Sequence, residues 1–241
     1  MSGHSKWATT RRQKAVVDAK KGAIFTKMGN LITIAAREKG GDPSVNFMLR
    51  MAIDKAKAAN MPKDNIDRAI LRGTGELGGA DISEIYYEGF GPANSQFIVK
   101  SLTDNKNRSA STIRHIFTKY GGSLGNVSWN FSQKGVIRVA GEEFKGKGIN
   151  LEDLELELID AGIDDLIKEE EGATIYTPLE ALQKVKEFLE AKGLKAESAQ
   201  IEYVPKEENN VSGEDKEKVE KFIFELEDNE DVSDYFSNVN I

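Results

Sequence analysis

The chain has 241 residues, 39% hydrophobic and 30% charged, with a formal net charge of −7, which predicts a soluble globular protein large enough for two or three modules. It contains no cysteine and only two histidines, His4 and His115, so disulfides and cysteine-based zinc sites are excluded and little of the imidazole or thiol catalytic repertoire is left. No apolar run approaches the roughly 20 residues of a membrane helix and the start shows no apolar signal core, so the expectation is a cytoplasmic protein without a membrane partner.

Charge is distributed unevenly. Residues 1–75 carry 15 Lys+Arg against 6 Asp+Glu, whereas residues 76–241 carry 18 against 34. The first 27 residues hold seven basic side chains and one acid, Asp18. An acidic total therefore hides a local cationic segment of the kind that neutralises phosphates.

In chain order, residues 1–22 are basic and polar, with Trp7, Val16 and Val17 as apolar exceptions, and read as a flexible arm. Ile24, Met28, Leu31 and Ala35 recur at three- and four-residue steps, the pattern of a helix ending before Gly40-Gly41. Asp42-Pro43-Ser44 is expected to start a second helix, with Met48, Leu49, Ala52, Ile53 and Ala56 on its apolar stripe. A third runs from Pro62, as the first helical residue, through Ile66, Ala69 and Ile70 to Gly73. Residues 23–75 thus form a three-helix module.

The stretch Gly73–Gly79 is a linker by composition, after which the periodicity becomes strand-like. Glu84–Phe90 and Gln96–Leu102 form a hairpin around Gly91-Pro92-Ala93-Asn94, a helix follows with Ile113, Ile116, Phe117 and Tyr120 on one face, and Val127–Phe131 reads as a short strand. Residues 134–206 then give a βαββαβ series: strands at Val136–Val139, Asp165–Glu169, Ala173–Tyr176 and Gln200–Val204, helices at Leu151–Ala161 and Leu179–Lys192. That is the ferredoxin-like order. The tail supplies a helix over Glu214–Glu227 and a strand over Val232–Asn238, which cannot bury their apolar faces alone. The expectation is an α+β protein of three domains: the helical module, a discontinuous α+β domain of residues 76–133 and 207–241, and a ferredoxin-like domain of residues 134–206 inserted in it.

Three motifs invite chemistry. Gly121-Gly-Ser123-Leu-Gly125 matches a nucleophile elbow in letters, but a helix precedes it and a strand follows, the reverse of what the elbow needs. The acidic pairs and triplet, Glu142-Glu143, Asp164-Asp165 and Glu169–Glu171, lack the glycine-punctuated spacing of a calcium loop and read as solvated surface. The loop Asp104–Arg108 sits between a strand and a helix N-terminus, so Asn105, Lys106 and Arg108 are candidates for a secondary phosphate contact, with a capped turn as the equal alternative. No catalytic residue, metal, cofactor or small-molecule substrate is expected.

The stronger signal is the arm: His4, Lys6, Trp7, Arg11, Arg12, Lys14, Lys20, Lys21 and Lys27. Cationic groups release counterions from a phosphate backbone and an indole stacks on an unpaired base, so these residues are the candidate nucleic-acid contacts.

The opening Gly3-His-Ser-Lys-Trp7, Phe25-Thr-Lys27, Gly41-Asp-Pro43, Asn60–Ile66 with Arg68-Ala-Ile70, Tyr87-Glu-Gly-Phe-Gly-Pro92, Thr103–Arg108 and the stretch from His115 to Gly125 together resemble the YebC/PmpR family. The resemblance covers most of the chain and implies a three-domain cytoplasmic protein. Members are described as DNA-binding transcriptional regulators, their mitochondrial relatives as translational activators of cytochrome c oxidase, and some bacterial members look like ribosome-associated factors. Two loops depart from the family pattern: Gly122–Trp129 is shorter than the usual glycine-rich version, and Ala93-Asn-Ser-Gln96 replaces a stretch typically of glycine and apolar residues. The leading expectation is a nucleic-acid-binding transcriptional regulator with DNA as partner, its acidic domains orienting it or contacting protein; the alternative is a translational activator that inserts the arm into ribosomal RNA on the ribosome.

Overall fold

Three hydrogen bonds from one buried amide join the first two helices. In the computed structural model, which describes residues 21–79, 81–169 and 172–241, helix α1 (Lys21–Lys39) ends at Gly40, whose φ of 88° suits a residue without a Cβ. Helix α2 (Phe47–Ala58) begins after Asn46, whose side chain accepts from Leu49 N–H at 3.0 Å. The same amide donates to the carbonyls of Ala35 and Gly40, both at 2.8 Å, and is fully buried. The start expected at Asp42-Pro43-Ser44 is therefore displaced: Asp42 closes a local turn by accepting from Ser44 N–H, and Asn46 takes the cap.

Helix α3 (Lys63–Gly73) follows, with Pro62 as its cap residue and not its first helical residue. Met28, Ile32, Ala35 and Ala36 of α1 share a core with Leu49, Ile53 and Ala56 of α2 and Ile66 and Ala69 of α3. Where α1 meets α3, a Cβ at Gly73 would run into Thr33 O and come within 2.7 Å of Ala36 Cβ. Thr33 Oγ1 donates to Ala69 O across the same contact. Glycine here lets two helix backbones approach.

Strands β1 (Ser83–Phe90) and β2 (Gln96–Thr103) form an antiparallel hairpin, followed by helix α4 (Lys106–Lys119) and the short β3 (Ser123–Leu124). The strand expected over Val127–Phe131 is instead a 3-10 turn at Ser128–Asn130 leading into a longer β4 (Phe131–Ala140). The reason is Glu88, whose carboxylate accepts from the N–H groups of both Val127 and Ser128 at 2.8 Å and so removes them from any ladder.

By its internal contacts the protein divides into two compact units, Phe131–Val204 and the described residues up to Asn130 together with Pro205–Ile241. In the first, β4 is followed by the short α5 (Gly141–Lys145), α6 (Leu151–Ala161), β5 (Asp165–Glu169), β6 (Gly172–Thr177), α7 (Leu182–Ala191) and β7 (Ser198–Pro205). The sheet order β5-β6-β4-β7 is that of a ferredoxin-like fold. α7 packs on β4 beside α6, and Ile137, Val139, Leu158, Ile175, Val185 and Leu189 are fully buried. The residues Leu179–Ala181, expected as the first turn of α7, form a separate 3-10 turn after Pro178. On adjacent strands, Arg138 and Glu202 make a buried two-point ion pair at 2.5 and 2.8 Å.

The second unit is completed by the tail. After β8 (Asn209–Asn210) come α8 (Gly213–Asp228), β9 (Val232–Ser237) and β10 (Val239–Asn240), and β9 pairs antiparallel with β2 in a sheet of order β3-β1-β2-β9. Helices α4 and α8 bury Ile113, Phe117, Val219, Phe222 and Leu226 with Phe97, Val99 and Tyr235 of the sheet. Phe222 sits edge-on to Phe97 and Phe117 at 4.8 and 5.0 Å. A smaller cluster joins Leu31 and Ile34 of α1 to Ile82 and Leu102.

Candidate nucleic-acid interface

Of the expected contacts, His4, Lys6, Trp7, Arg11, Arg12, Lys14 and Lys20 lie outside the described residues, as does the side chain of Lys21, which opens α1. Lys27 lies further along α1, and its half-buried ammonium donates to Glu227 O at 2.6 Å in the last turn of α8. A cation placed at a helix C-terminus satisfies a carbonyl that the helix leaves unpaired and complements the negative end of the dipole. Lys27 therefore ties α1 to α8.

The helical module carries further cations outside the set expected to contact nucleic acid. Lys39, Lys57, Lys63, Arg68 and Arg72 are all exposed. Lys57 closes α2 and Lys63 opens α3, so the two flank the turn in which Asn60 takes a φ of 59°. Arg68 and Arg72 follow each other at one helical turn on α3, preceded by Asp64 on the same stripe. Arg37 is paired with Asp81. The four-residue spacing of the two arginines was the available signal in the sequence.

The corner at residues 103–108 is built differently from a phosphate cradle. Asn105 caps α4 by accepting from Arg108 N–H at 3.0 Å, while its own N–H donates to Thr103 Oγ1. The Arg108 guanidinium donates to Asp231 through Nη2 at 3.0 Å and Nε at 3.4 Å, and to Asp104 at 3.0 Å. Asp231, by hydrogen bond and by charge, raises the pKa of Arg108 above its ordinary value, with Asp104 adding to it. Asn105 and Arg108 thus meet as cap and ion pair, with two carboxylates on one exposed guanidinium, and Lys106 is exposed beside them.

Ser123 lies on β3, paired with Phe90, after α4 and not before a helix, so no elbow forms around it. Among the described residues no group of three or more His, Asp or Glu is arranged to hold a metal ion, and no helix is long and apolar enough to cross a membrane.

Comparison with known proteins adds a family. Residues 5–76 match the model for the TACO1/YebC protein N-terminal domain, and residues 82–239 match that for the TACO1/YebC second and third domain. A probable transcriptional regulatory protein of Thermoanaerobacter pseudethanolicus is 49% identical, covering 100% of this chain and 98% of that one. Its counterpart in Thermotoga maritima is 47% identical over 99% of this chain and 93% of its own. The crystal structure of a conserved hypothetical protein from Aquifex aeolicus superposes with a TM-score of 0.82 at 41% identity, covering 93% of this chain and 92% of that chain.

Proposed function

The chain belongs to the TACO1/YebC family, and on that footing we propose that it is a cytoplasmic, non-enzymatic regulator of gene expression that binds nucleic acid, acting as a DNA-binding transcriptional regulator. The observation that carries this reading is the segregation of charge: 15 Lys+Arg against 6 Asp+Glu over residues 1–75, nearly the span of the N-terminal family domain. The relatives' names, probable transcriptional regulatory proteins, support it.

His4, Lys6, Arg11, Arg12, Lys14, Lys20 and Lys21 neutralise backbone phosphates and release counterions, and Trp7 stacks on a base. The exposed Lys57, Lys63, Arg68 and Arg72 extend the cationic surface onto the module. The acidic remainder, 18 Lys+Arg against 34 Asp+Glu, is repelled by phosphate and so orients the arm toward it, or meets a protein partner. A second reading, translational activation through ribosomal RNA, is favoured by the Trp7 indole among interspersed cations, which suits unpaired bases better than a uniform duplex.

Ultraviolet crosslinking in cells, with sequencing of the DNA and RNA joined to the protein, separates the two. Discrete promoter fragments are expected for the first reading, and ribosomal RNA peaks would replace it with the second. Changing Arg11, Arg12, Lys20 and Lys21 to Glu should nearly abolish binding and flatten its salt dependence; unchanged affinity would overturn the arm as the contact.

A further inference from the structure

Trp129 is 57% exposed, although the loop that carries it is tied down on both sides. Before it, Val127 is fully buried, and the N–H groups of Val127 and Ser128 are held by the Glu88 carboxylate. After it, Asn130 is 2% exposed and donates to Gln96 Oε1 at 2.8 Å and Glu207 O at 3.0 Å, while its Oδ1 accepts from Glu207 N–H at 2.9 Å. The indole is thus held outward by a rigid turn. A large apolar ring left in water forfeits burial free energy that a fold ordinarily takes, and held on a tied-down turn it is available to a partner.

The chemistry beside it is cationic. Lys206 N–H donates to Asn130 O at 2.7 Å, and the Lys206 ammonium donates to the carbonyl of Trp129 itself at 2.8 Å. Of the acids around the loop, Glu88 holds the two loop N–H groups and Glu208 accepts from Asn240, while Glu207, next to Lys206, is exposed. Asn126, earlier in the same loop, is polar and exposed. An exposed aromatic face with one cation held on its own backbone carbonyl fits a base with its phosphate, and stacking accepts any base because each has a π-face.

We propose that Trp129 and Lys206 form a second nucleic-acid contact, in which an unpaired base stacks on the indole and its phosphate meets the Lys206 ammonium. This rests on the nucleic-acid reading above and places one local contact, at a single cation, on the α+β domain away from the arm in sequence, while the net acidic charge of residues 76–241 still repels phosphate elsewhere.

The test uses the full chain and a short fluorescein-labelled oligouridylate carrying one 5-iodouridine. Binding is read by anisotropy, and contact by irradiation and mass spectrometry of the adduct. A nucleotide adduct on the peptide containing Trp129 is expected, with affinity lowered about 5- to 150-fold in Trp129→Ala and largely retained in Trp129→Phe. Because the ring is exposed, neither variant should unfold. Oligonucleotide bound with no adduct at Trp129 and with unchanged affinity in Trp129→Ala overturns this proposal alone, and leaves Trp129 to a protein partner. Failure of the wild-type chain to bind any oligonucleotide, DNA or RNA, overturns both this proposal and the reading it rests on.

Discussion

Arg108 and Asp231 stand 123 residues apart in sequence and close a two-point ion pair, Nε and Nη2 on one carboxylate. A bulge makes this possible: β2 and β9 shift register between Lys100 and Ser101, where Leu102 N–H and Ser101 Oγ both donate to Asp231 O. The backbone irregularity places the side chain beside the start of α4.

Asp231→Asn is expected to lower the melting temperature slightly, because the guanidinium is solvent-exposed and water already screens it. The gap between wild type and variant should narrow with added salt in thermal unfolding. A gap independent of salt would show that the hydrogen-bond geometry of the Asp231 carboxylate with Arg108, not its charge, carries the difference.

Asn46→Ala removes an N-cap and leaves the Ala35 and Gly40 carbonyls without their donor in a buried corner. A loss of roughly 2–4 kcal/mol is expected in chemical denaturation. Asn46→Asp keeps the cap acceptor but sets a buried carboxylate oxygen against the same two carbonyls, so it should lose at least as much.

At Gly73 two effects oppose each other. Alanine is the better helix former by about 1 kcal/mol, yet its Cβ would strike Thr33 O and Ala36 Cβ. Overpacking costs about 1–3 kcal/mol, so Gly73→Ala should destabilise on balance, seen as a lower denaturation midpoint. A stabilised variant would mean that α1 and α3 separate without cost.

Glu225 joins α8 to the end of α4 by accepting from Lys119 Nζ at 2.7 Å and Tyr120 OH at 2.9 Å. The Lys119 ammonium, foremost, holds its carboxyl below the ordinary glutamate value of 4.5 against the opposing effect of burial. Burial first, and then Glu225, push the Tyr120 phenol up, which keeps it a donor. A depressed carboxylate contributes stability that is present above the unfolded value and lost as pH falls through the folded one. The melting-temperature advantage of wild type over Glu225→Gln should therefore be full at neutral pH and shrink as pH falls below about 4.5. A constant gap across that range would remove Glu225 as the acid-sensitive tie.

Long periodic segments could be read directly from the chain. The stripe Ile24, Met28, Leu31 and Ala35 gave α1, the paired aromatic and β-branched runs gave the β1–β2 hairpin, and the order of elements over residues 134–206 gave the ferredoxin-like arrangement, because each element must bury one face against a neighbour. Element starts were less legible. Asp42, Ser44 and Asn46 are all good cap residues, and which one caps α2 depends on the carbonyls of α1 that only Asn46 reaches. Val127–Phe131 has strand composition, yet Glu88 on another strand claims its donors.

For the candidate site, the basic arm is a property of composition and needs no fold to be seen. Arg108 is less legible: as a cation next to a helix start it suggested a phosphate contact or a capped turn equally, and only the structure shows its ion pairs with Asp231 and Asp104. Trp129 carried no signal in sequence, since it fell inside the strand expected over Val127–Phe131, where an aromatic residue alternating with Val127 and Phe131 is ordinarily core.

What the sequence determined by itself was the separation of a cationic N-terminal third from an acidic remainder and the order of amphipathic segments, because charge and periodicity are local properties of the chain. Only the tertiary structure decided which polar groups are already satisfied and which apolar groups stay outside. Partners such as Asp231 for Arg108 and Lys206 for Trp129 are brought together by strand pairing and the return of the tail, and a side chain's hydrogen bonds are settled by what stands within about 3 Å of it, whatever its distance along the chain.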